Sequence, residues 1–282
     1  MRTLALVWSA VGTVGCGASS RHGDVDGDID VDSDVDTDSD VDTDSDVGTD
    51  SDTASGSDSD PCGRAYDDDD ATLALLHLDD AEGSTVAADD SARGGKAVSS
   101  GGEATPGAEG VFCSAWSLRG GFLELDRFLF GTDDAFYGVT VEGWVRHPPG
   151  TDGGTFFSDG GSGNRGSFSL SVDDLGAGPT LQVSWVPSDF SDQRMSGTTS
   201  FADGEFHHVA LVLDRNGPSQ IRAYVDGVRD VDAGFYGNVW SPWDEGPVRI
   251  GANSDGDPGW LDVDEVRVSA GPRELSDLVY ER

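Results

Sequence analysis

The sequence has few basic residues, which limits the partners that it can bind. It contains 17 Lys and Arg residues against 54 Asp and Glu residues in 282, a formal net charge of −37. Binding of nucleic acid requires a basic surface that neutralises phosphates. We therefore expect no nucleic-acid partner, and cations or basic surfaces are the natural counterparts of this chain.

Methionine is also scarce, with 2 residues, whereas the chain has 40 Gly and 11 Pro. Such a composition indicates frequent turns and few helices, and it favours an all-β fold. Several catalytic motifs are missing as well: a zinc-binding spacing, a phosphate-cradling loop and the Gly-x-Ser-x-Gly elbow of nucleophilic hydrolases. The glycine-rich segments at Gly101–Gly102 and Gly161–Gly166 are interpreted as loops.

The apolar run near the N-terminus is short. Leu4–Val14 has eleven residues, too few to span a bilayer but typical of the apolar part of a signal peptide. Gly15–Cys16 resembles the bacterial lipoprotein box, in which the Cys becomes the acylated N-terminus. We expect a signal peptide over 1–15 and lipidation of Cys16; in the alternative, an ordinary signal peptidase cuts after Ala18 and removes Cys16.

Residues 16–60 are predicted to be a disordered, Asp-rich linker. Asp occupies every even position from 24 to 46, and like charges on one face would oppose strand formation. Asp24–Asp28 partly matches a calcium-binding loop, but Ile29 and Val35 occupy the positions where that loop needs Gly and Glu. A solvated spacer, which holds the following domain away from a membrane, is therefore the preferred interpretation.

Cysteine is rare, with three residues. Removal or acylation of Cys16 leaves Cys62 and Cys113, an even number in an exported chain. We predict a disulfide between them, which would tie the end of the linker to the segment at 111–116.

A strand–turn–strand pattern lies at 204–228. His207–Leu213 is apolar at nearly every position, which indicates a central strand covered on both faces. In Ile221–Val225 apolar and polar residues alternate, and Asp226–Gly227 is typical of a tight turn. The pattern predicts antiparallel strands of a packed two-sheet domain.

These residues carry a family resemblance. Phe206, His208–Ala210 and Tyr224–Gly227 resemble the signature hairpin of laminin G-like jelly-roll domains of the concanavalin A-like lectin/glucanase class. Three further segments match in the expected order: 74–95, 139–158 and 250–268. The resemblance implies an all-β fold, a two-sheet antiparallel β-sandwich (jelly roll), over residues 61–282, and it leaves the ligand open.

Sugar-cleaving proteins of this architecture carry paired carboxylates at alternate positions of one strand. Asp262 and Asp264 match part of that pattern, but Val266 and Arg267 stand where a further Glu is expected. We therefore predict that the chain is not an enzyme, with a glycoside hydrolase or lyase as the alternative.

The resemblance also implies a structural Ca²⁺. The closing-strand Asp264 would bind it together with backbone carbonyls of a Gly-rich turn at Gly120 or Gly121. In the alternative, Asp264 caps a turn or pairs with Arg267.

Aromatic residues suggest where a ligand binds. Trp240 and Trp243 lie in a predicted loop where their rings can stack on sugars, whereas Trp144 and Trp185 lie within strands and are expected in the core. In the alternative, a loop Trp packs under Pro242.

The expected function is thus that of a non-catalytic binding or adhesion module. Its expected partners are a glycan or a surface protein, and its lipid anchor would hold it at the bacterial outer membrane or cell surface. A purely structural envelope lipoprotein is the other alternative.

Overall fold

A computed structural model describes residues 62–126, 129, 137–159, 167–174, 176, 178–186, 192–217, 220–234 and 246–278. The predicted signal peptide and linker, Cys16, Trp240 and Trp243 lie outside these residues. In the described part the secondary structure is strand, with one short 3-10 turn at Leu275–Asp277. The strands are β1 (Thr72–Leu76), β2 (Val86–Ala88), β3 (Lys96–Glu109), β4 (Ser114–Leu125), β5 (Gly138–Arg146), β6 (Gly153–Asp159), β7 (Phe168–Asp174), β8 (Pro179–Trp185), β9 (Gln193–Ser200), β10 (Phe206–Asp214), β11 (Ile221–Val225), β12 (Val228–Ala233), β13 (Arg249–Ile250) and β14 (Trp260–Ala270).

The strands form a two-sheet antiparallel sandwich, as predicted. Their hydrogen-bonded order is β12-β11-β10-β5-β14-β4-β13-β6-β7-β8-β9, with β1 beside β14 and β3 beside β4. The two ends of this order meet, because Asp230 in β12 accepts backbone hydrogen bonds from Thr198 (2.9 Å) and Thr199 (3.1 Å) in β9. This contact covers backbone donors of β9 that an open edge strand would expose.

The predicted hairpin is confirmed as β10 and β11. Val209 lies opposite Val225 and Leu213 opposite Ile221, and β10 is covered on its other side by β5. Asp226 and Gly227 join β11 to β12 with φ of 48° and 73°. The left-handed conformation explains why this turn uses an Asp-Gly pair.

One apolar core lies between the sheets, and it forms because alternate residues of each strand point inward. Leu170 and Val183 of one sheet belong to the same cluster as Leu211 and Val263 of the other. Trp185 also belongs to it, as predicted. Trp144 is buried too, but in a second cluster on the outer face of the β5–β14 sheet.

Residues 62–71 cross that outer face. Tyr66 is 1% exposed, and its hydroxyl lies 3.0 Å from Nε2 of His208. The predicted disulfide is present: Cys62 and Cys113 are bonded, with their Cα atoms 5.0 Å apart. Over the described ranges, no helix has the length and apolar character needed to cross a bilayer.

Candidate functional site

An open cleft of about 410 Å³ lies on the outer face of β6, β7, β8 and β9. Strand alternation produces it. In β7, Phe168, Leu170 and Val172 enter the core, so Ser169 and Ser171 point outward into the cleft. The same alternation in β8 turns Gln182 and Ser184 outward into the cleft.

The floor of the cleft consists of polar cross-strand pairs. Ser169 lies opposite Ser184, and Ser171 lies opposite Gln182. Gln182 donates from Nε2 to the hydroxyl of Ser196 in β9, at 3.4 Å. Hydroxyl and amide groups both donate and accept hydrogen bonds, so the floor can bind a ligand that also does both.

One wall of the cleft is the loop from Asn253 to Gly259. Oδ1 of Asn253 accepts the backbone N–H groups of Asp255 (3.0 Å) and Asp257 (2.9 Å). Gly259 lies against Gly154 of β6 so closely that a Cβ on either residue would collide with the backbone of the other. The wall is therefore held in place by the chain itself, and glycine is required at this close approach.

The carboxylates singled out in the sequence lie elsewhere. Asp262 is 3% exposed and accepts hydrogen bonds from Arg119 Nη2 (2.5 Å) and Arg146 Nε (2.9 Å). Among the described residues, those that line the cleft do not include Asp262 or Asp264. Both carboxylate oxygens of Asp262 are thus engaged by guanidinium groups, outside the cleft lining.

The structure does not bring Asp264 together with Gly120 and Gly121. Val263, next to Asp264, pairs with Trp116. Gly120 instead donates its N–H to Gly259, which precedes Asp264 by five residues, or about 16 Å of extended chain. Oδ2 of Asp264 instead accepts the backbone N–H groups of Val111 (2.7 Å) and Phe112 (3.0 Å). The geometry thus gives Asp264 the turn-capping role that was the alternative.

The Asp264 side chain is buried. Burial raises its pKa from the ordinary 3.8 to about 7, against the lowering effect of the two backbone N–H groups. Within the described ranges, no three His, Cys, Asp or Glu side chains are grouped to hold a metal ion. Calcium binding stays a prediction, which thermal unfolding with and without chelator would test.

Glu265, beside these residues, is a feature that the sequence did not reveal. It occupies a β-bulge between β14 and β5 with φ of 48°, and its side chain is fully buried. Its carboxylate lies 2.9 Å from Nδ1 of His77. Burial lowers the pKa of His77, but the hydrogen bond and charge of Glu265 outweigh it, so that this pKa is raised. His77 lines a smaller cavity of about 270 Å³ together with Cys62 and Asp79.

We expect Asp264→Asn to change how stability depends on pH. The folded-state pKa of about 7 lies above the ordinary 3.8, so the wild type loses stability as pH rises between these two values. Asparagine cannot ionise, yet it still accepts a hydrogen bond from the turn. The free energy of unfolding, measured in urea from about pH 4 to 8, should shift in favour of the variant up to about pH 7 and then level off. Parallel curves for both proteins would contradict the buried titration; Asp67→Asn, at an exposed position, serves as the control.

A comparison with protein-family models agrees with the fold described above. The model described as the concanavalin A-like lectin/glucanases superfamily matches residues 122–278, more than half of the chain. The chain belongs to this superfamily. The resemblance inferred from the hairpin is therefore confirmed, while a search of curated proteins gave no match.

Solved structures of binding domains share the superfamily fold. Domain 4 of AbnA, a GH43 extracellular arabinanase from Geobacillus stearothermophilus, in complex with arabinotriose, is 18% identical at a TM-score of 0.53, covering 74% of this chain and 97% of that one. The binding domain of Paraclostridial Mosquitocidal Protein 1 is 11% identical at a TM-score of 0.53, covering 74% of this chain and 51% of that one. A structure of botulinum neurotoxin type C, whose cell entry depends on interaction with two ganglioside molecules, is 12% identical at a TM-score of 0.53, covering 74% of this chain and 50% of that one.

The chain spans about half the length of these two toxin structures, 51% and 50%. At identities this low the likeness shows a common fold. It does not transfer a ligand or a residue.

The cleft residues were accessible to sequence reasoning only in part. The alternation in Ser167–Val172 and Thr180–Trp185 marks Ser169, Ser171 and Gln182 as outward-facing. What the sequence lacks is any local signal that the loop at 253–259 approaches this face, because β6 and that loop are about 100 residues apart. The sequence therefore predicted a ligand site at Trp240 and Trp243, which lie outside the described residues.

Proposed function

We propose that this protein is a non-catalytic recognition module that binds a glycan in the cleft over β6–β9. The observation that supports it is the floor: the pairs Ser169–Ser184 and Ser171–Gln182 present hydroxyl and amide groups in an open, preformed depression. Sugar hydroxyls donate and accept hydrogen bonds, as these groups do. Two of the fold relatives are described with an oligosaccharide or with gangliosides.

The rival function is that of a glycoside hydrolase or lyase of the same architecture. It requires two carboxylates that face one substrate across a few ångströms. Asp262, the candidate for such a role, is held between two arginines outside the cleft lining given above. This arrangement argues against Asp262 as a catalytic carboxylate, and an assay for turnover on polysaccharides separates binding from catalysis at the cleft.

The test is a glycan array with the full chain, run beside that turnover assay. We expect binding without turnover, and a loss of at least about tenfold in affinity for Ser169→Ala/Ser184→Ala, because two hydrogen-bonding groups are removed. The matched control is Ser99→Ala/Ser100→Ala on β3, which makes the same change outside the cleft.

Three results would contradict the proposal. Turnover that Asp262→Ala abolishes would favour the enzyme. Binding lost with Trp240→Ala and Trp243→Ala, but not with the serine variant, would move recognition to that loop. The absence of any glycan binding would favour a structural envelope protein.

We further propose that a lipid on Cys16 and the Asp-rich linker hold the module at a bacterial surface. The Gly15–Cys16 junction and the run of Asp residues after it support this. Mass spectrometry of the mature N-terminus should find acylated Cys16, whereas a soluble chain that starts at Ser19 would contradict the anchor.

A further inference from the structure

The rim of the cleft carries a strong excess of negative charge. Of the described residues that line it, Arg194 is the single cation. Five carboxylates also line the cleft: Asp152, Asp173, Asp192, Asp255 and Asp257. They come from β7, from the starts of β6 and β9, and from the loop wall, so they enclose the floor from several sides.

Three of these carboxylates are available to a ligand. Asp173 accepts the hydroxyl of Ser171 (2.8 Å), and Asp257 accepts the amide of Asn253 (3.2 Å). The side chains of Asp152, Asp192 and Asp255 are exposed and form no hydrogen bond or ion pair with other described residues.

The charge decides which glycans suit the cleft. Residues 71–282 carry 34 acidic and 14 basic side chains, so the domain adds a negative field to that of the rim. Sialic acids, uronic acids and sulfated sugars would bring like charge against it. A protonated amine would instead pair with a carboxylate, while the neighbouring hydroxyls of the sugar meet the serines and Gln182 of the floor.

From this combination we infer that the cleft selects a glycan with free amino groups, such as a chain of β-1,4-linked glucosamine. The inference rests on the proposed glycan-binding function and names its ligand class. An exposed ion pair changes affinity by up to about fivefold, so two or three pairs give a preference of about tenfold or more over the N-acetylated sugar. Because the carboxylates are exposed, this preference should weaken as salt is raised.

The experiment measures calorimetric binding of three hexamers to the full chain at about pH 6, where aspartate is ionised and the sugar amines carry protons. The three ligands are the hexamers of glucosamine, of N-acetylglucosamine and of galacturonic acid. The cleft variant is Asp152→Asn/Asp192→Asn/Asp255→Asn. Its matched control, Asp67→Asn/Asp70→Asn/Glu274→Gln, changes the net charge equally at exposed positions outside the cleft. The Asp-rich linker is common to all proteins, so its own attraction for amines cancels.

We expect the glucosamine hexamer to bind about tenfold more tightly than the N-acetylated one, with that advantage lost in the cleft variant and kept in the control. The inference is overturned if both triple variants lose affinity equally, since the attraction is then one of net charge. It is also overturned if the acetylated or acidic hexamer binds as tightly as the glucosamine hexamer and Ser169→Ala/Ser184→Ala weakens that binding. In that case the proposed glycan recognition by the cleft still stands. If the serine variant affects no hexamer, the proposed function falls and the inference falls with it.

Discussion

Arg267→Met is expected to lower the free energy of unfolding by about 3–5 kcal/mol, as when one partner of a buried ion pair is removed. Nε and Nη2 of Arg267 donate to Oε1 of Glu142 at 3.0 and 2.7 Å. Glu142 is fully buried and Arg267 is 5% exposed. Without the guanidinium, Nε2 of His208, 3.3 Å from Oε2, is the basic nitrogen that remains beside the Glu142 carboxylate among the described residues.

A double variant separates the pair from the packing around it. Arg267→Met/Glu142→Leu removes both charges and leaves apolar side chains of similar length, so we expect it to recover most of the loss. The guanidinium also lies 4.5 Å from the centre of the Tyr66 ring, a contact that methionine can partly replace. Equilibrium unfolding in urea measures Arg267→Met, Glu142→Leu and the double variant. If the double variant is as unstable as the sum of the single variants, packing and not charge explains the effect.

The parts of the fold that were predicted correctly are those that local sequence patterns determine. The segment at 206–227 has an apolar strand, an alternating strand and an Asp-Gly turn within about 20 residues. Cys62 and Cys113 could be paired because they were the two cysteines left after Cys16. In each case the deciding information lies in neighbouring residues or in a small number of choices.

Strand β3 was missed because nothing local predicts it. Lys96–Glu109 is rich in Gly and Ser, and Gly101–Gly102 within it was interpreted as loop. The segment becomes a strand by pairing with β4 along its length, from Ala97–Leu125 to Glu109–Ser114. At Gly102 a Cβ would collide with the carbonyl of Gly120, so glycine permits the close pairing. Tertiary context here overrides propensity.

The roles of the acidic residues in β14 depended on a bulge that the sequence does not show. Asp262 and Asp264 do share one face, as alternation predicts, but the insertion of Glu265 changes the register after them. The partners of each carboxylate come from distant segments: Arg119 and Arg146 for Asp262, and the turn at 111–112 for Asp264. Sequence could therefore place these groups on a strand without assigning their function.

Removal of the disulfide by Cys62→Ala/Cys113→Ala should lower the free energy of unfolding by about 4 kcal/mol. The bond links residues 51 apart in sequence, and loop closure of that length restricts the unfolded chain strongly. Reduction of the wild type should give the same loss, and reductant should leave the double variant unchanged. Urea unfolding under oxidising and reducing conditions makes this comparison.

The native structure should survive that loss, because residues 62–71 are also held by non-covalent contacts. Tyr66 is buried against His208, and Asp69 pairs with Arg273 at 2.7 Å. These contacts act in the folded state, whereas the disulfide acts mainly on the unfolded chain, so they do not replace its contribution. The cleft lies on the other sheet, and its affinity should stay unchanged in the alanine variant. A loss below about 1 kcal/mol would contradict the loop-closure argument, and a weakened cleft would show that this segment supports the site from across the sandwich.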